Sequence, residues 1–154
     1  MPFTSLTDDN GALVEASLGT ANAYVSVAWV DEYFTLRGRS DWDGTEARKQ
    51  GYIIRATDHI EKRFGPRWKG TRKEASNALT WPRSGVVLKD GTAVAEDAIP
   101  EALRRACAEY ARLAIERAEL DPVSMEVDAE KTGKVRRKVV EQEVGPIRTK
   151  TDEE

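Results

Sequence analysis

The side chains that could carry catalysis or hold a metal are few and scattered. His59 and Cys107 are the only histidine and the only cysteine among 154 residues. A metal at His59 would need at least two more donors converging on it. Its neighbours Asp58 and Glu61 supply no spacing that announces them. A general base at His59 would need a nucleophile or an orienting acid in a pocket, and the pattern offers neither. Its place beside Ile60 reads as the surface of a helix. The carboxylates Asp8-Asp9, Asp31-Glu32 and Glu96-Asp97 are adjacent pairs, and adjacent side chains point apart on a helix or a strand. The glycines at 38, 44, 51, 65 and 70 fit neither a phosphate-binding loop nor a dinucleotide fingerprint. No nucleophile elbow is present. A single cysteine excludes an internal disulfide and a cysteine-built metal site. Within Leu103-Arg104-Arg105-Ala106-Cys107-Ala108 it reads as a small core residue. The expectation is no enzymatic activity, no cofactor and no metal.

Binding chemistry is better represented. Arg63, Arg67, Trp68, Lys69, Arg72 and Lys73 interleave an indole with five cations. That composition suits a single-stranded nucleic-acid platform, in which bases stack and phosphates meet cations. The competing reading is a loop whose Trp packs on the domain while its charges stay in water. Trp81-Pro82-Arg83 reads as an anchor. The indole buries a large area, the proline stiffens the exit, and the guanidinium can pair with a carboxylate or a carbonyl.

The composition sets the frame for these residues. With 40% hydrophobic and 33% charged residues, the chain suits one soluble domain with an appended tail. No apolar run approaches the ~20 residues that span a bilayer. Met1-Pro2-Phe3-Thr4-Ser5 lacks the features of a signal peptide, so the expected location is the cytosol. Charge is unevenly placed. Residues 45–83 carry 10 Lys or Arg against 4 Asp or Glu, +6, whereas residues 1–44 carry 2 against 7, −5. A basic middle beside an acidic end suits contact between copies, or with a polyanion.

The elements that must position these residues are helical. Ser26 can cap a helix over 27–37, with Val27, Val30, Tyr33 and Phe34 on its apolar side and Gly38 as its stop. Asp31 and Glu32 sit early, where the helix dipole favours acids. Thr45 can cap a second helix over 46–63, with Ile53, Ala56, Thr57, Ile60 and Phe64 inward. Pro100 at the first helical position opens a third over 101–119. Val86 to Val94 reads as a small hairpin around Asp90-Gly91. Leu13 to Ala16 could form a short strand, and residues 1–20 read as an arm that needs a partner for its order. Residues 121–154 read as a second, extended arm. The expected fold is mainly α: a core of three to four helices over 21–120, with long loops and two arms.

In this order, Ala23-Tyr24-Val25-Ser26-Val27, Tyr33-Phe34, Arg37-Gly38, Trp42, Ala56-Thr57-Asp58, Leu79, Trp81-Pro82-Arg83 and Ile99-Pro100 resemble the phage head–tail connector proteins, also called adaptor or head-completion proteins. Many of these carry the label DnaT-like single-stranded DNA-binding protein. The likeness covers residues 20–120. It departs at Trp29, at a position usually small or acidic, and at His59, where an aromatic residue is more typical, and finds no match over 121–143. Val144-Gly145-Pro146-Ile147 resembles the short extended end of such proteins. The resemblance implies a subunit of a homo-oligomeric ring, a dodecamer, in the neck of the virion and in the host cytoplasm during assembly. The ring would sit beneath the portal protein and above a neck or tail-completion protein. It would continue the channel for packaged DNA, with no membrane partner. Tyr24, Tyr33, Phe34, Trp42, Trp81, Pro82 and Arg83 would anchor the subunit. Val139, Val140, Val144, Gly145, Pro146 and Ile147 would touch the portal or a neighbour. The alternative is a single-stranded-DNA-binding accessory protein of phage replication, using Arg63, Arg67, Trp68, Lys69, Arg72 and Lys73. In the connector reading, most cations of residues 45–83 meet acidic neighbours rather than DNA.

Overall fold

The computed structural model describes residues 2–117. They fall within one unit, Met1–Glu119. Its helices are α1 (Val27–Thr35), α2 (Glu46–Phe64) and α3 (Glu101–Glu116), and its one two-stranded ladder pairs β1 (Thr71–Arg72) with β2 (Arg83–Ser84). The mainly α class expected from the pattern is what the chain adopts.

Each helix begins as its sequence directs. The Ser26 side chain accepts the Trp29 N–H at 3.1 Å, and the Thr45 side chain accepts the Arg48 N–H at 3.2 Å. Each bond satisfies a donor that a helix start leaves open. Pro100 stands one position earlier than expected, at the cap, where its carbonyl accepts the Leu103 and Arg104 N–H groups. Helix α1 stops at Thr35, two residues short of the expectation, and Gly38 turns the chain at φ +67°.

Helices α2 and α3 form the main contact, and α1 touches both. Ile53, Ala56 and Ile60 of α2 meet Leu103, Cys107, Ala108 and Ala111 of α3 in one buried cluster. Alanines and a cysteine on α3 allow close packing. Thr57 joins the elements: its hydroxyl lies 3.5 Å from Cys107 Sγ and accepts the Tyr24 N–H at 3.2 Å. Complete burial pushes the Cys107 thiol up to about 11, as expected of a packed rather than a reactive sulfur.

Four expectations are corrected. His59 is not a surface residue: it is 3% exposed, with its ring 4.6 Å from Tyr110 of α3 and 6.5 Å from Phe64. Asp31 is not a dipole partner in the first turn. It accepts Trp42 Nε1–H at 2.7 Å and pairs with Lys49 at 3.0 Å, fixing the loop between α1 and α2. The N-terminal segment lies on the helices. Leu6 and Thr7 are buried, Leu6 N–H reaches Ala23 O at 2.8 Å, and the Thr7 hydroxyl donates to Tyr24 O at 2.7 Å. Its order comes from isolated bridges and side-chain bonds to backbone, which leave no periodic trace. Glu15–Ser17 is a single 3-10 turn in place of a strand. The contacts expected of Val139, Val140, Val144, Gly145, Pro146 and Ile147 lie outside the described residues.

Candidate nucleic-acid interface

The interleaved stretch 63–73 runs from the end of α2 through a 3-10 turn, Gly65–Arg67, into β1. One residue holds it down. The Arg83 guanidinium donates to the carbonyls of Lys69 at 2.8 Å, Gly70 at 2.9 Å and Thr80 at 3.2 Å. A planar fork can serve three carbonyls at once where an ammonium could not. Trp81 beside it is 4% exposed and meets Trp68 edge-on, ring centres 5.6 Å apart. Trp81-Pro82 is a cis peptide bond. Backbone approach here is close: a Cβ on Gly70, at φ +71°, would fall 2.1 Å from Ser84 O. Only glycine fits. On the other side of the loop the Glu61 carboxylate accepts the Thr80 N–H, the Thr80 hydroxyl and the Tyr24 hydroxyl. Burial, then the charge of Glu61, holds the Tyr24 phenol well above its ordinary range.

The seven anchors Tyr24, Tyr33, Phe34, Trp42, Trp81, Pro82 and Arg83 are all buried. They divide into two sets. Tyr33, Phe34 and Trp42 form an aromatic chain at α1, with Tyr33 donating to Glu109 at 2.9 Å and Arg37 lying 3.8 Å over its ring. Trp81, Pro82 and Arg83 fix the basic loop, and Tyr24 connects to it through Glu61.

The six residues of the basic stretch share one run of chain but not one role. Arg63, Arg67, Lys69, Arg72 and Lys73 are exposed. The Arg72 guanidinium also donates to Asn77 O at 2.6 Å. Trp68 is half-buried between Phe64 and Trp81. The indole packs on its neighbours, and the cations around it reach solvent.

Trp68 and Trp81 also form the floor of a feature not singled out from the sequence. A groove of about 610 Å³ runs between α2, α3 and the 86–94 turn, and its walls are mainly apolar. Val87 and Leu88 are 51% and 50% exposed on its edge. The signal was present. Val87 pairs with Ala93 in the expected hairpin geometry, and alternation along it turns Val87 outward once Val86 turns inward. Among the described residues, no group of three or more His, Cys, Asp or Glu could hold a metal, and no helix is long and apolar enough to cross a membrane.

The described residues thus form a helical core that carries a clamped basic loop. Residues 12–152 match the model of the family described as "Putative DnaT-like ssDNA binding protein", and the chain belongs to that family. No curated protein and no solved structure matches the chain.

Proposed function

We propose that this protein binds single-stranded DNA through the cations of residues 63–73. The observation that carries the reading is the clamped loop itself. Arg83 fixes the backbone of Lys69 and Gly70, so the neighbouring cations Arg67, Lys69 and Lys73 stand exposed on a scaffold that is already ordered. A rigid scaffold lowers the ordering cost of binding. The family description points the same way. Because Trp68 is half-buried by its neighbours, phosphate contact rather than base stacking supplies the affinity, and the binding is indifferent to sequence.

The test is a titration of a labelled oligothymidylate read by fluorescence anisotropy. The Lys69→Glu/Lys73→Glu variant is expected to bind at least ~10-fold more weakly at low salt, with an unchanged melting temperature. Equal affinity of the variant and the natural chain would overturn the reading.

A second reading is favoured by the half-exposed Val87 and Leu88, which a protein partner would cover. In it the chain is a head–tail connector of a phage virion, a homo-oligomeric ring bound to the portal protein. Co-chromatography of the chain with its portal, as a stoichiometric complex, is the observation that supports it.

A further inference from the structure

The groove between α2, α3 and the 86–94 turn is continuous with the basic loop, since Arg67, Trp68 and Lys69 line it. Its other walls are mainly aliphatic, and Val87 and Leu88 stand half-exposed at its edge. Its charged lining is Arg67, Lys69 and, from the turn, Lys89, with no carboxylate. A volume of about 610 Å³ lies in the range of small-ligand sites and has room for a nucleobase.

Phosphate contact alone gives no preference for a single strand. A duplex carries its charge more densely and releases more counterions per contact, so cations by themselves favour the duplex. Preference for a single strand needs a surface that only unpaired bases can reach. We propose that this groove takes unpaired bases of the strand whose phosphates Arg67 and Lys69 hold, and so makes the binding selective for single-stranded DNA. The inference rests on the DNA reading and adds a second subsite to it.

Three observations select this occupant. First, the groove and the cations are contiguous, so a strand held at Arg67 and Lys69 lies beside the opening. Second, the charge suits a polyanion: the lining offers cations from two separate segments and no carboxylate to repel a phosphate. Third, the turn offers little to an extended peptide. It holds a single bridge, Val87 with Ala93, and the N–H groups of Leu88 and Val94 are spent inside it, so no strand edge is open for a peptide to extend. The aromatic floor is closed by its own packing, so the aliphatic side chains of Val87 and Leu88 supply the contact with a base. No amide, hydroxyl or carboxylate side chain lines the groove to read a base edge, which keeps the contact indifferent to sequence. A base in a duplex would have to leave its stack to enter, at a cost that an unpaired base does not meet.

The test is fluorescence anisotropy with three labelled probes of one length at one salt concentration: an oligothymidylate, an abasic strand with the same number of phosphates, and a duplex. The natural chain is expected to bind the oligothymidylate at least ~5-fold more tightly than the abasic strand, and more tightly than the duplex. The Val87→Ser/Leu88→Ser variant is expected to lose both preferences while its affinity for the abasic strand stays unchanged. Both residues are half-exposed and neither is charged, so the variant keeps the fold and the phosphate contacts, and circular dichroism checks the fold. Equal binding of oligothymidylate and abasic strand by the natural chain overturns the inference and leaves the phosphate reading standing. Binding of neither probe overturns both. A preference for bases that survives in the variant places the base contact outside the groove and also overturns the inference. Base-blind binding, together with a portal complex that the same variant breaks, would assign the groove to a protein partner instead.

Discussion

Residues 69–84 and residues 86–94 are neighbouring stretches between α2 and α3, and the fold treats them in opposite ways. The first is closed. Arg83 serves three carbonyls, Trp81 is buried, Glu61 takes the Thr80 donors, and Gly70 lets two backbones touch. The second is held by a few backbone bonds, Leu88 N–H to Thr92 O at 2.8 Å and Val94 N–H to Val86 O at 2.9 Å, and leaves Val87 and Leu88 half-exposed. A stretch that fixes its own backbone and buries its own apolar side chains is scaffold. A stretch that is satisfied only in its backbone is a surface for something else. The difference separates a scaffold that carries exposed cations, Lys69 and Lys73 among them, from a stretch that leaves apolar side chains half-exposed.

The sharpest way to break the comparison is Trp81→Ala. If the first stretch is scaffold, the loss is about 3–5 kcal/mol, measured by urea denaturation. Next comes alkaline titration. Burial raises the Cys107 thiol from 9.0 to about 11. A raised value in the folded state stabilises below the unfolded value and loses that contribution as pH rises through the folded one. Stability is therefore expected to fall by about 2 kcal/mol between pH 9 and pH 11, and Cys107→Ala is expected to remove that part of the fall. The shifts of Tyr24 and Tyr33, both upward through burial and a neighbouring carboxylate, add to the loss at higher pH. Gly70→Ala is expected to cost about 2 kcal/mol, since it forces a disfavoured φ and displaces Ser84. Smallest is Leu88→Ser, which is expected to change stability by less than about 0.5 kcal/mol. A large loss there would show that the open stretch is scaffold too.

The helices were legible because their signals are local. Ser26, Thr45 and Gly38 act through bonds and dihedrals within a few residues, and the inward stripe of α2 repeats along one face. The N-terminal segment was not, because Leu6 and Thr7 are ordered by Ala23 and Tyr24 rather than by any pattern of their own. His59 was misplaced for a related reason. Asp58 and Glu61 beside it suggest a wet face, but Tyr110 arrives from α3, more than forty residues later. The Arg83 clamp was half legible: the residue types named an anchor, while its three carbonyl partners could only be seen in the fold. The groove was the hardest, since its walls come from α2, α3 and the 86–94 turn.

The central claim is that the exposed cations on the clamped loop bind a single strand. The most direct measurement is the affinity for an oligothymidylate across a salt series. Engagement of Arg67, Lys69 and Lys73 predicts that log K falls linearly with log salt, with a slope of about −2, near 0.7 per phosphate on a single strand. Binding no stronger than that of an acidic control protein, or an affinity that ignores salt, would contradict the claim.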